Sequence, residues 1–236
     1  MTEWLLFLTL FFAFFVQSLT GFGAALIAMP LLISLVGIQT AVPLFALIAQ
    51  TGRIGLLHQY RHDWNWRSMW RISVGSLIAI PIGVWGAQQI DEQIVMLLLG
   101  IIMAGYALFA LSGMVIPIIK NQRWAYAVGL LSGLLQSAYN TGGAPLVIYG
   151  SSQRWQAGEF KSNIQSITFI NGLLVITSHA ASGNIDSPIL MRYLFAVPII
   201  LIAQKIGFSL DKYINPDLFR KGVLILLVVV GLRLIF

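Results

Sequence analysis

The sequence predicts an all-α polytopic membrane protein made of two inverted-topology repeats, each a broken or re-entrant helix hairpin followed by three transmembrane helices. Three observations predict this. Of 236 residues, 58% are hydrophobic and only 9% charged, against roughly a quarter charged in ordinary soluble domains. Apolar runs close to the about 20 residues needed to cross a bilayer core recur from end to end and leave no room for a separate soluble domain. One polar interruption also occurs twice: Gln17-Ser18 leads into Gly21-Phe22-Gly23, and Gln136-Ser137 leads into Thr141-Gly142-Gly143.

The first repeat is read over residues 1–119. Its broken helix covers 3–36, too long for one crossing and too short for two full ones. Residues 1–30 lack the basic start and small-residue cleavage site of a signal peptide and are therefore kept as structure. Helices follow over 41–60, carrying Pro43, Gln50, Arg53 and His58, over 72–90 with Pro81 inside, and over 94–119. The connection from Arg61 to Arg67, with Trp64 and Trp66, has the Trp and Arg content of a headgroup-level belt. The second repeat, 124–236, follows the same plan: a broken helix over 124–151, then helices over 160–181, 188–207 and 218–236. Pro81 to Gly86, followed by Asp91 and a run with Gly100 and Gly105, is echoed by Pro198 to Gly207, Asp211 and a run with Gly222 and Gly231. The implied internal period is about 115 residues, a large fraction of the chain.

Charge placement predicts the topology. If each broken segment crosses once, the Lys and Arg of the two halves fall on opposite sides. If each dips in and returns, Arg61, Arg67, Arg71, Lys120, Arg123, Arg154, Lys161, Lys205, Lys212, Arg220 and Lys221 share one side, with Arg192 and Arg233 on the other. The positive-inside rule favours the second arrangement. Three crossings after each hairpin then invert the second half relative to the first; a pair of short full crossings in place of each hairpin has the same parity. The net charge of +6 accordingly reports topology rather than nucleic acid, which is not an expected partner. With no Cys there is neither a disulfide framework nor a thiolate metal site, and no cofactor is expected.

A helix that stops inside a membrane leaves unpaired backbone groups, and irregular backbone survives there only against protein or a wet cavity. A half-helix restarting at such a point turns its N–H groups and positive dipole end toward the cavity, which attracts anions. The candidate substrate site is therefore Gln17, Ser18, Thr20, Gly21 and Gly23 from the first break and Gln136, Ser137, Asn140, Thr141, Gly142 and Gly143 from the second. Two facing breaks of this kind mark the sites of transporters. Arg53 joins them, because it lies too deep in its helix for an ordinary loop residue and an intramembrane arginine is expensive to keep. Close helix packing through small residues is the competing reading of the glycines, and snorkelling along its stem is the competing reading of Arg53. His179 is a candidate proton carrier, against a packing or capping role. Gln50, Asn163, Gln165 and Asn171 are read first as helix-bridging amides, with lining of the path as the alternative.

Three stretches, Gly21 to Pro30, Pro81 to Gly86 and Thr141 to Pro145, resemble the TauE/SafE sulfite exporter family, a group of predicted anion permeases with two related halves. The resemblance runs over nearly the whole chain in order of elements and implies transport of sulfite, sulfonates or related organosulfur anions across a bacterial inner membrane. Ala24 and Ala25 stand where further glycines are common in the family, and Pro43 is a second departure.

The expected function is a secondary transporter of a small anion working by alternating access around the two breaks, in a multi-pass inner-membrane protein. Its partners are the anion and the bilayer, and a homodimer is allowed. A channel-like uniporter and a non-transport intramembrane enzyme or assembly factor are the alternatives. An enzyme would need a nucleophile with its base, or a metal cluster; neither is visible, and no nucleotide-binding Gly-x-x-x-x-Gly-Lys-Ser/Thr stretch is present.

Overall fold

The computed structural model describes residues 2–20, 23–60, 65–87, 89, 91–114, 117–210, 213 and 216–235. They form ten α-helices: α1 (Thr2–Thr20), α2 (Ala24–Val36), α3 (Ile38–Tyr60), α4 (Trp66–Ala87), α5 (Glu92–Leu111), α6 (Trp124–Tyr139), α7 (Gly143–Ser152), α8 (Ala157–Ala181), α9 (Ser187–Leu210) and α10 (Pro216–Ile235). Within the described residues, α1, α4, α8 and α9 each contain a stretch long and apolar enough to span a membrane: Glu3–Thr20, Trp66–Gly86, Gly158–Ala181 and Ser187–Leu210. By contrast α2, with 13 residues, and α7, with 10, reach only about 20 and 15 Å at 1.5 Å per residue, well short of the roughly 30 Å hydrocarbon core.

The element ends shift from the sequence reading for local reasons. Gly37, at φ 75°, separates α2 from a third helix that begins at Ile38, so Pro43 sits inside α3. The fourth helix starts at Trp66, which makes Arg67 and Arg71 helical rather than part of a loop. The fifth stops at Leu111 instead of 119, because Gly113 turns left-handed at φ 65° and Pro117 cannot extend a helix.

Helix directions follow from side-chain contacts. Glu3 pairs with Arg192 at 2.8 Å, and Ser18 lies against Gly207, so α1 and α9 run parallel. Gly75 abuts the backbone of Tyr126 and Gly129, and Gly83 lies against Ser137, so α4 and α6 also run parallel. Gln50 donates from Nε2 to the Phe169 carbonyl at 3.0 Å, and Ile38 and Val42 share a cavity with His179 and Gly183; α3 and α8 are therefore antiparallel. Gly100 meets Gly231 and Leu234 while Ala104 meets Gly231, which makes α5 and α10 antiparallel as well. Gln153 Nε2, just past α7, donates to the Ile119 carbonyl ahead of α6 at 2.9 Å. The α6–α7 unit thus leaves the bundle at the end where it entered.

Small residues make the closest of these approaches, as expected where lipid supplies no hydrophobic drive between helices. In the α4–α6 seam Ser76 Oγ donates across to the Gly129 carbonyl at 3.0 Å, and a Cβ on Gly129 would strike the Ile72 backbone. A side chain there must push two backbones apart, whereas Gly105 faces open space. Gly129→Val is expected to cost about 1–3 kcal/mol, the usual range for overpacking, read as a lower unfolding temperature of the detergent-solubilised protein; Gly105→Ala should leave that temperature unchanged.

Candidate functional site

Both helix breaks open onto one cavity. In the first, α1 ends at Thr20, and Gly23 at φ 95° caps the start of α2. In the second, α6 ends on Asn140 in the left-handed region at φ 55°, a conformation Asn adopts more readily than most residues. Its N–H donates to the Gln136 carbonyl at 3.0 Å and that of Thr141 to the Leu135 carbonyl at 3.2 Å, which closes the helix end. The chain then restarts at Gly143 with Pro145 in the first turn of α7, where a missing N–H costs nothing.

The cavity measures about 50 Å³, several times the roughly 10–15 Å³ one water requires. Gln17, Gly23, Gln136, Asn140, Thr141, Gly143 and Arg53 line it; the sequence singled out all seven. Ser18, Thr20, Ser137 and Gly142 do not line it. Ser18 Oγ donates to the Phe15 carbonyl at 2.6 Å, and Ser137 Oγ to those of Gly133 and Leu134, both at 2.9 Å. These two hydroxyls face Gly207 and Gly83, so they serve packing between helices. Thr20 Oγ1 bonds the Val16 carbonyl at 3.0 Å, and the Gly142 carbonyl is held by Ser132 Oγ at 2.7 Å. Gly21 lies outside the described residues.

The rest of the wall comes from residues outside the sequence-predicted site: Ala24, Ala25 and Leu26 on α2, Phe45 and Ala49 on α3, Ala144 on α7, and on α8 Ile164, Thr168 and Gln165, the last read first as a helix-bridging amide. A signal for the last pair existed, since residues three apart share a helix face and both are polar within an apolar helix. Gln50 acts as a helix bridge, accepting from Arg53 Nη1 at 2.8 Å and donating to α8. Asn163 accepts from the Asn65 N–H at 3.2 Å, also a bridging role. His179 is placed elsewhere, in a second cavity of about 420 Å³ with Gln39, Thr40 and Asn184.

Electrostatically the central cavity is one-sided. The Arg53 side chain is buried, 5% exposed, and among the described residues no carboxylate pairs with it; the ion pair they contain is Arg192–Glu3. No Asp or Glu lines the cavity. The first turns of α2 and α7 add two positive dipole ends, each with backbone N–H groups that lack intrahelical partners. Gln17 Oε1, Gln136 Oε1 and Thr141 Oγ1 are buried without a hydrogen-bond partner among the described residues, where buried polar atoms are normally satisfied. The Thr141 hydroxyl can donate, and so can the Gln17 amide when its ends are exchanged; Gln136 is fixed as it stands, Nε2 donating to Asn140 Oδ1 at 3.4 Å. Opposite unit charges 4 Å apart attract by about 4 kcal/mol at an effective dielectric near 20, against about 1 in water. The arrangement therefore attracts anions and repels cations.

The chain matches the family model for the sulfite exporter TauE/SafE over residues 6–234. It belongs to that family. It is similar to the probable sulfite/organosulfonate exporter TauE of Cupriavidus necator, at 22% identity over 218 residues covering 89% of this chain and 85% of the relative. It is also similar to the probable inner membrane transporter protein TsaS of Comamonas testosteroni, at 23% identity over 172 residues and 72% of each chain. No solved structure matches. Membership places the chain among membrane transporters rather than enzymes, in keeping with its four described helices long and apolar enough to cross a membrane.

An uncompensated buried cation weakens the empty protein, and an anion binding only the folded state stabilises it by RT ln(1 + [L]/Kd). Arg53→Gln should therefore leave the anion-free unfolding temperature equal or higher while reducing the rise produced by a fixed concentration of sulfite. Loss of a charged hydrogen bond, about 1.5–3 kcal/mol, corresponds to an affinity lower by about tenfold to a hundredfold, measurable by titration calorimetry.

Proposed function

We propose that the protein is a secondary transporter that carries a small sulfur oxyanion, sulfite first, by alternating access around the cavity between the two helix breaks. The observation that carries this reading is the buried Arg53, with no carboxylate partner among the described residues, in a cavity that the N-terminal ends of α2 and α7 also line. A cavity of about 50 Å³ suits an ion of few heavy atoms; an organosulfonate needs the same head site plus room for its tail. The printed name of the Cupriavidus necator relative, a probable sulfite/organosulfonate exporter, supports both members of that substrate class.

Two inverted repeats, α1–α5 and α6–α10, give this site its symmetry in the proposed mechanism. Exchanging the halves turns the α1–α9 pair into α6–α4, and both pairs run parallel. The same exchange maps α3–α8 and α5–α10 onto themselves, and both of those pairs run antiparallel, as a two-fold axis across the helices requires. In each exchanged pair the serine that follows the site glutamine, Ser18 or Ser137, rests on a glycine of the other half, Gly207 or Gly83. This cross-half packing supports rigid-body rocking of one unit on the other, the usual motion of such folds.

A barrier across the path favours alternating access over an open channel. Asn140 lines the central cavity and Val42 the 420 Å³ cavity, and Asn140 Nδ2 donates to the Val42 carbonyl at 3.0 Å between them. Opening toward the second cavity must break that bond. The basic end of the bundle, with Arg67 and Arg71, then faces the cytoplasm by the positive-inside rule.

Purified protein in liposomes should take up sulfite faster than a sulfonate bearing an organic tail, and chloride slowest. Asn140→Ala and Gln136→Ala should each cut sulfite flux by about tenfold, as loss of a hydrogen bond to a charged group does; Asn140→Ala should also lower the unfolding temperature, since alanine is strained at φ 55° and loses the bond to the Val42 carbonyl. Flux equal to that of empty liposomes overturns the transport reading; full flux in both variants moves the site elsewhere.

A further inference from the structure

A second anion site lies at the opposite level of the bundle from the 420 Å³ cavity, independent of the transport reading. At the end where α4 and α6 begin and α7 finishes, a cavity of about 390 Å³ is lined by Arg67, Arg71, Trp70, Gln122, Gln153 and Trp155, among others. Arg67 and Arg71 stand four residues apart and so project from one helix face, within the first two turns of α4. That is the unfavourable end of a helix for a cation, because the dipole there is already positive. The start of α6 brings a second positive helix end to the same cavity through Gln122 and Ala125.

Among the described residues no carboxylate lines this cavity. Neither arginine forms an ion pair among the described residues. Glu159, whose Oε1 accepts from Asn65 Nδ2 at 2.9 Å and from Ser68 Oγ at 3.4 Å, is not part of the cavity lining. The Arg71 guanidinium lies 4.6 Å from the Trp70 ring centroid, and that ring stands edge-on to Tyr126 at 6.0 Å, so one cation is held in place by aromatic packing. Topology alone accounts for basic residues at this end of the bundle, but not for two like charges directed into one cavity at the positive ends of two helices.

The surroundings say what kind of anion fits. Trp66 and Trp124, the first residues of α4 and α6, are exposed at 51% and 58%, as tryptophans are at headgroup depth. Below Arg71 on the same face of α4, Val74 and Ile78 are exposed apolar residues, a surface for acyl chains running on from the cavity. The geometry points to a phosphodiester headgroup site: the cavity binds the phosphate of an anionic phospholipid, with Arg67 and Arg71 on its oxygens and the tails along Val74 and Ile78. Basic pockets between transmembrane helices recognise lipid phosphates in this way.

The test uses the full-length protein, delipidated in a neutral detergent, with unfolding temperature and native mass spectrometry as readouts. Phosphatidylglycerol should raise the unfolding temperature and remain bound, while phosphatidylcholine, inorganic phosphate and sulfite at matched concentration should not reproduce the effect in an Arg53→Gln background. The apparent affinity for phosphatidylglycerol should fall by about tenfold or more in Arg67→Gln/Arg71→Gln, and by less than about threefold in Lys120→Gln/Arg123→Gln, since Arg67 and Arg71 line one cavity and act together on one phosphate, whereas Lys120 and Arg123 are salt-screened charges outside it. An equal response to phosphatidylcholine, a full effect of inorganic phosphate or sulfite, or equal losses in the two double variants would overturn the proposal. If the pocket variant does not fold, the comparison among the four ligands on the Arg53→Gln protein decides it alone.

Discussion

Hydrocarbon offers no hydrogen-bond partners, so every interrupted helix and every buried charge in this protein must be satisfied from within the protein or by a ligand. The two helix breaks and Arg53 occupy the same small space because each needs what the other can help provide. The breaks supply the polar wall around a guanidinium that lipid could not tolerate. The long helices around them keep that wall away from acyl chains. Gln50, spanning from Arg53 to the Phe169 carbonyl, shows how the constraint reaches outward: a buried charge demands an oriented amide, and the amide then fixes the register of α3 against α8.

The glycines divide by task in a way their spacing does not announce. Gly23 turns the chain with φ 95°, where a side chain would be strained. Gly83 and Gly207 instead let Ser137 and Ser18 rest on a neighbouring helix. Each Gln-Ser pair is thus split by function: the glutamine faces the cavity while the serine faces the helix behind it. Adjacent residues on a helix point about 100° apart, so a two-residue motif can serve a site and an interface at once.

The breaks were visible in the sequence because Gly, Asn, Gln and Thr are conspicuous inside apolar runs, and membrane insertion makes such interruptions meaningful. Most of the helix order was visible for the same reason. The early end of α5 and the start of α4 at Trp66 were less so, since helices continue past the hydrocarbon boundary until a left-handed glycine or a cap stops them, whatever the hydropathy. Among site residues, Gln17, Gln136, Asn140, Thr141 and Arg53 could be named from type and depth alone. Ser18 and Ser137 carried the same polarity but lie on the other side of their helices, a rotation that local pattern does not fix.

The sequence by itself determined that this chain lives in a membrane, that it breaks two of its helices, and that its buried polar residues lean toward an anion, because each of these follows from composition and local backbone chemistry. Only the tertiary structure decided that both breaks share one cavity, that Gln165 and Thr168 complete it, and that Arg67 and Arg71 line another at the basic end of the bundle. Those facts depend on which helix faces lie against which. In a chain whose helices are apolar on nearly every side, facing is set by the fit of small residues between distant segments rather than by any periodicity along one of them.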